Sequence, residues 1–530
     1  MIVKINLSLL YWVSFLKSEG FCLSDFNGAE DFDIVFLQNL NPVYISDKLH
    51  KKRRVIITSE SNLGSILSRK NQDIDIDNTN FSCKNFSITN TKDIVSIKIV
   101  KRENVTYFFY DKKLKSAFSD ARQSIKRISL NDSGSEWCNE TLCYTDKRNV
   151  KKYMRRILNL ASIELDKPLI YLWKYPEKYK NVFNLRIDVD PDRNVNESTA
   201  MLRINNTINQ SINYVDRITM ALNYYKRSSD YDKFSNLFLK GFDIANHNFF
   251  HCHFPDKFHS NKNTLFSLKL LKKVFGNISG FISPEYFWYN NLTRIIEKYK
   301  YKYASSLGFD YSNYPYRPVI SNKIRNYFEI PSQPLVYGKF HQQFGLDHKK
   351  IISSYRKMIK VLLSQHDEPC LVYEHPAILG QYPEIFNTII ECGNSPEVLP
   401  VTLTEFYQWV DFRETVIDGL FDLSLDSVTF KSNFDIKTKD IDKVSIALEF
   451  PNSGLIKIFS LKDFLEKNVD LKSPLCEFHT DRIKSLFGST LGYDNEKSIN
   501  IFNSRRHFFK IYNSYRLFYE YKIKNLLPKI

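Results

Sequence analysis

The chain has no apolar run of the roughly eighteen or more residues needed to span a bilayer. It has no CxxC pair either. Its eight cysteines are Cys22, Cys83, Cys138, Cys143, Cys252, Cys370, Cys392 and Cys476, too dilute over 530 residues for a disulfide scaffold. That spacing points to a reducing compartment, and the expected location is cytoplasmic. The first 150 residues hold no glycine-rich phosphate loop. No arginine stripe and no nucleic-acid motif accompany the net charge of +16; the lysines are scattered among asparagine and isoleucine. Such scatter fits a general basic drift better than a nucleic-acid interface, and it leaves an anionic membrane or glycan as a partner class. The apolar N-terminus is interrupted by Lys4 and Asn6 and lacks a small-residue cleavage site, so it is not read as a signal peptide. A short strand followed by a buried helix ending at Gly20 fits it better.

What is present is enough apolar material for real cores, 43% hydrophobic with 15% aromatic residues, in a chain too long for one ordinary domain. Three segments are expected. Residues 1–150 read as a small α/β, flavodoxin-like domain, with strands near 33–38, 55–59, 94–100 and 105–110. Residues 151–412 begin with a helix over 149–165. Residues 413–530 hold alternating strands near 428–437, 443–450 and 455–461, a β-rich module. They end in a basic, aromatic, helical tail from Arg505 to Lys524. That tail suits either packing on another domain or a peripheral contact with an anionic membrane.

The chemistry-bearing stretch is Gly241–His253, which sets His247 and His251 four residues apart, with His253 two further on. A helical turn would put His247 and His251 on one face, within reach of one metal ion. Upstream, Asp188 and Asp190 alternate with Arg186, so a strand there points all three to the same side. Two carboxylates and a guanidinium on an otherwise apolar strand are costly to bury without a purpose.

Between and after these stretches, strand-like runs alternate with helix-like ones. Helices are expected over 206–226, 231–240, 264–276, 290–299, 348–364 and 382–391. Strands are expected near 280–286, 301–306 and 371–376, the last ending at His375. Repeated βα units with polar residues at the strand ends are the pattern of a barrel whose site lies at the strands' C-terminal ends.

The order of these motifs, over residues 168–412, resembles the polysaccharide deacetylase family (NodB homology, carbohydrate esterase family four). Asp188-Val-Asp190 resembles its first motif. His247-Asn-Phe-Phe-His251 resembles its second, with Asn248 in place of a hydroxyl residue. Ile282-Ser-Pro284 resembles the third without its arginine, and Tyr373-Glu-His-Pro376 the last. The resemblance implies an incomplete (β/α) barrel, a divalent metal with zinc the expected ion, and hydrolytic removal of acetyl groups from an N-acetylated sugar or glycan. It implies Asp190, His247 and His251 as metal ligands, Asp188 as general base and His375 as general acid. Val189 separates two acids that are usually adjacent in the family, so the roles of Asp188 and Asp190 can exchange. Arg186 is the candidate substitute for the missing arginine. The resemblance also implies an oxyanion donor from a backbone N–H near Tyr286. Tyr286, Trp288 and Tyr289 are candidates for stacking on a sugar ring or for core packing. His253 is expected to support the site rather than to ligate. The partner class is carbohydrate and not nucleic acid, and the alternative is a catalytically degenerate glycan-binding barrel.

Overall fold

A computed structural model describes residues 3–25, 32–38, 52–62, 75–82, 94–102, 104–129, 137–190, 217–223, 488–492 and 505–526. It also describes 242–479, apart from 312, 365–367, 426–427, 433, 435–440 and 467–468.

The N-terminal strand Val3–Ile5 lies inside a seven-stranded sheet. It pairs in parallel with Ser24–Asp25 on one side and Ile34–Leu37 on the other, and Arg54–Ser59 and Val105–Tyr110 continue the parallel series. In chain order this parallel set runs second, first, third, fourth, fifth, the order of a flavodoxin-like sheet. Ile94–Arg102 and Asp75–Ser82 extend it antiparallel. The strands near 34 and 55 are all-apolar because helices or other strands cover both faces.

Helix Leu10–Glu19 ends at Gly20, whose φ of 97° is left-handed. A Cβ there would stand 2.1 Å from the Leu172 carbonyl oxygen and 2.2 Å from Arg413 Nη2. Three segments meet at this point. Leu172 N–H donates to the Gly20 carbonyl at 2.9 Å. Arg413 donates to the Ser18 carbonyl at 3.1 Å and the Leu172 carbonyl at 2.8 Å. Gly20→Ala is expected to cost about 2–4 kcal/mol, from a disfavoured φ and a backbone clash. A urea melt of the full chain checks this, and an unchanged midpoint contradicts it.

Helix Lys147–Leu165 starts at the Asp146 cap, whose carboxylate accepts from Arg148 N–H at 3.0 Å. It buries Val150, Tyr153, Met154, Ile157, Leu158 and Ala161, an i, i+3, i+4 stripe. Strand Leu169–Leu172 follows and pairs antiparallel with Ser445–Phe450. That four-stranded sheet continues through Leu455–Ser460 to Cys476–His479. Further along, Gly488–Gly492 pairs with Gln123–Ser129. The C-terminal 120 or so residues thus share sheets with two earlier segments, because their strands have edges that only distant partners satisfy.

The sheet that carries the candidate site is parallel. Its order is Phe328–Glu329, Tyr303–Ser305, Gly280–Ile282, Asp243–Asn246, Thr219–Leu222, Asn181–Val189, Cys370–Glu374, with Val398–Pro400 also on Asn181–Val189. The two ends are not strand-paired, although Gln333 N–H donates to the Leu371 carbonyl across the gap at 3.0 Å. This is an incomplete barrel, as expected. Thr219–Leu222 corrects the expected helix over 206–226: these four residues form a buried barrel strand. Residues 206–216 and 224–226 of that expected helix, and all of the one over 231–240, lie outside the described residues. No helix among the described residues is long and apolar enough to cross a membrane.

The tail is helical over Arg505–Leu526, and its inner face packs on the barrel. Ile511 and Phe518 form a buried cluster with Phe249, Phe250, Cys252 and Phe254.

Candidate metal centre

Every residue of the candidate site lies at the C-terminal end of a barrel strand, where loops can carry polar groups without breaking the sheet. On strand Asn181–Val189 the period of two turns Arg186 and Asp188 to the same side, and both are buried. The guanidinium grips the carboxylate in a fork, Nε to Oδ1 at 2.7 Å and Nη2 to Oδ2 at 3.0 Å. Its Nη1 donates to Ser305 Oγ at 3.1 Å. The rings of Tyr286 and Tyr373 lie 5.1 and 5.0 Å from the guanidinium carbon. Burial pushes the Asp188 carboxyl up, but Arg186, by its charge and its hydrogen bonds, together with the neighbouring His247 and His375 more than offsets it, so the group is held below the usual carboxylate range.

Asp190 stands just past the strand. Its Oδ1 is 2.9 Å from His251 Nε2 and 3.2 Å from His247 Nε2, and the two ring nitrogens are 3.1 Å apart. The three residues form a group able to hold one metal ion. His247 is buried and follows strand Asp243–Asn246 directly. Its Nδ1 is 2.9 Å from the Ile282 carbonyl oxygen, which can only accept, so Nδ1 carries the proton and Nε2 presents its lone pair to the centre. Burial opposes a charge on Asp190, yet the imidazoles of His251, His247 and His375 around it hold its carboxyl well below the usual range. Burial lowers His251, outweighing the pull of Asp190, which keeps its imidazole neutral, the ligating form.

The expected helical turn over 247–251 is absent. The segment is a loop with Asn248 at φ 65°. Asparagine tolerates that left-handed conformation, and its side chain is held there: Thr264 Oγ1 donates to Asn248 Oδ1 at 2.8 Å. The Asn248 N–H donates to Asn246 Oδ1, also at 2.8 Å. The left-handed residue folds the chain back so that His251 reaches the ring of His247. Asn248 in place of a hydroxyl residue therefore has a local physical reason.

His375 follows strand Cys370–Glu374. Its Nε2 lies 3.5 Å from Asp190 Oδ2 and its Nδ1 3.3 Å from Glu374 Oε1. Burial alone would lower this imidazole, but hydrogen bonds to Asp190 and Glu374 raise it well above its ordinary value. His253 is buried away from the ligand group, its Nε2 facing Ser283 Oγ at 2.9 Å and the Pro284 carbonyl at 3.0 Å.

The Tyr286 side chain is not a free stacking platform. Its hydroxyl accepts from Arg186 Nη2 and donates to Asp188 Oδ2. Its backbone N–H donates to the Ser283 carbonyl at 2.9 Å, so this N–H is committed inside the turn. Trp288 is buried against Phe309, and the half-buried Tyr289 packs on His253 at the edge of the core. Two supporting residues went unread in the sequence, the hydroxyl of Tyr286 and the carboxylate of Glu374. Glu374 is fully buried, and its Oε2 accepts from Tyr337 N–H at 2.8 Å and Tyr355 OH at 2.5 Å. A carboxylate adjoining a candidate acid was the available signal.

An open parallel barrel with two imidazoles and a carboxylate converging at its strand ends defines a class of metal-site barrel. No family model matches the chain, and no curated protein matches it. Polysaccharide deacetylases and carbohydrate esterases are among the solved structures similar to it. A probable polysaccharide deacetylase from Pseudomonas aeruginosa is 11% identical, with a TM-score of 0.36 over 44% of this chain and 91% of its own. The family 4 carbohydrate esterase from Streptomyces lividans is 13% identical, with a TM-score of 0.28 over 42% and 92%. Puue allantoinase is 11% identical, with a TM-score of 0.37 over 44% and 91%. The barrel description above rests on strand order and register alone.

Proposed function

We propose that this protein is a metal-dependent hydrolase that removes acetyl groups from an N-acetylated sugar or glycan precursor, in bacterial surface-polysaccharide metabolism. The observation that carries this reading is the convergence of Asp190, His247 and His251, with Asp188 and His375 beside them. The assignment to surface polysaccharide is analogy to a family, not chemistry read from the site.

Asp190 Oδ1 and the Nε2 atoms of His247 and His251 would hold a divalent metal, zinc foremost. The donor set suits such an ion: two imidazoles and one carboxylate, with His247 Nδ1 engaged by the Ile282 carbonyl so that Nε2 faces the centre. When bound, the metal supplies Lewis acidity, which acidifies water and polarises an acyl oxygen. Asp188 accepts the proton of the attacking water, and Arg186 with Tyr286 keeps its carboxylate aimed. The carbonyl carbon gains the water oxygen and the C–N bond breaks. His375, held protonated, gives its Nε2 proton to the leaving nitrogen, so acetate and a free amine result. Glu374 fixes the His375 ring. Asp188 and Asp190 exchange roles only if the ligand group rearranges.

The test is acetate release from an acetylated chitooligosaccharide and from an acetylated nucleotide sugar, with bound metal assayed on the same protein. Release is expected, lost on chelation and restored by zinc. His375→Ala is expected to lower kcat about 10²- to 10⁴-fold with metal content unchanged, the usual worth of a general acid. A second reading, a degenerate glycan-binding barrel, is favoured by the committed Tyr286 N–H, which leaves that expected oxyanion donor engaged. Bound metal and glycan with no acetate released from either substrate would select it.

A further inference from the structure

The C-terminal helix is apolar on two faces. Its inner face, with Ile511, Ser514, Tyr515 and Phe518 at i, i+3, i+4 and i+7, packs on the histidine loop. Cys252 Sγ meets Ser514 Oγ at 3.2 Å, and Tyr515 OH donates to Asp256 Oδ2 at 2.5 Å. Lys510 pairs with Glu285, beside Tyr286. The outer face carries Phe508, Phe509, Tyr512 and Tyr519, which are 58%, 59%, 63% and 52% exposed. A second element adds to it. Phe258, 51% exposed, contacts the His259 ring at 5.2 Å, and His259 Nε2 is 3.4 Å from Tyr519 OH. Large aromatics on two elements thus gather on one outward surface, where a polar surface would normally stand.

Basic residues outnumber acidic ones along the sequences of the two helices, although Asp256 and Glu285 contact the tail. Helix Lys257–Phe275 carries Lys257, Lys262, Lys269, Lys272 and Lys273 and no acid. Segment 505–526 carries Arg505, Arg506, Lys510, Arg516, Lys522 and Lys524 against Glu520 alone. The two helices are packed together through Phe266 stacked on Phe518, with ring centroids 5.8 Å apart.

We infer that this face docks on an anionic lipid surface. Exposed phenylalanine and tyrosine enter the headgroup region, and the flanking lysines and arginines meet the lipid phosphates. A purely polar polyanion would use the charge but would leave the aromatics without a role. The inference is independent of the hydrolase reading, since it uses none of the metal-site residues.

Sedimentation of the full chain with phosphatidylcholine vesicles, with and without phosphatidylglycerol, tests it. Binding is expected only with phosphatidylglycerol and is expected to weaken as salt rises. The triple variant Phe508→Ser, Phe509→Ser, Tyr512→Ser is expected to bind at least about tenfold more weakly. These side chains are exposed, so its thermal melt should match the wild type. Absence of wild-type binding to the anionic vesicles at low salt overturns the inference. So does equal binding by the triple variant, which would mark adsorption by charge alone. Concentration-dependent self-association that disappears in the triple variant, without vesicle binding, would assign the face to a second copy instead.

Discussion

His247→Ala is expected to leave a folded protein that no longer holds zinc. His247 is the most enclosed of the three candidate ligands, buried at 1% exposure and tied by Nδ1 to the Ile282 carbonyl. Its loss removes one of the three donors and leaves Asp190 and His251 alone at the centre. Bound metal should fall from about one ion per chain to near zero, and acetate release should drop about a thousandfold or more, equal to several kcal/mol of lost transition-state stabilisation. The fold itself should survive, because the barrel core is built from apolar side chains of which His247 is not one. A control isolates the effect. His253→Ala removes an equally buried imidazole six residues further on, whose Nε2 meets Ser283 Oγ and the Pro284 carbonyl and whose ring packs on Tyr289, and it should keep its zinc. Metal analysis of the two purified variants decides the matter. Full zinc in His247→Ala would end the proposed centre.

Arg186→Ala should behave in the opposite way, keeping metal and losing both stability and activity. The guanidinium is buried and makes a fork to Asp188. Removing it strands a buried carboxylate, which costs about 3–5 kcal/mol. The carboxyl of Asp188 then loses the strongest of the influences that together hold it down against burial, so it rises toward its protonated form. A protonated Asp188 cannot accept one from water, so turnover should fall while Asp190, His247 and His251 still bind zinc. Replacing both partners, Arg186→Met with Asp188→Leu, should recover much of the stability without the activity, because no buried charge is left unpaired. Urea melts read the first quantity and acetate release the second. Full activity in Arg186→Ala would remove this residue from the proposed site.

How much of this was legible in the chain varies with the kind of interaction. The parallel strands near 34 and 55 stood out as short apolar runs, because burial on both faces removes any need for alternation, whereas the strand near 187 was legible through Arg186, Asp188 and Asp190 at a spacing of two. The same property hid Thr219–Leu222. Four apolar or small residues with no alternation look alike in a buried helix and a buried strand, and only pairing with Asn181–Val189 and Asp243–Asn246 distinguishes them. At the site, the histidine spacing was visible, but the reason for it was misread. Asn248 bends the chain by a left-handed residue where a helical turn was expected. Tyr286 was legible as an aromatic near a turn. That its hydroxyl bridges Arg186 and Asp188 depends on a strand neighbour about a hundred residues away.

The amino-acid sequence by itself determined which chemical groups are available and in what order: a carboxylate pair spaced for one strand face, imidazoles four apart, an imidazole at a later strand end. Those are local properties, set by backbone periodicity and side-chain type. Tertiary structure decided which of these groups meet. Asp190 joins the histidines, Asp188 turns instead to Arg186, His253 turns away to Ser283, and the tail faces the barrel on one side and solvent on the other. Each outcome depends on the register between strands distant in sequence, where a shift of one residue would reverse every side chain's direction.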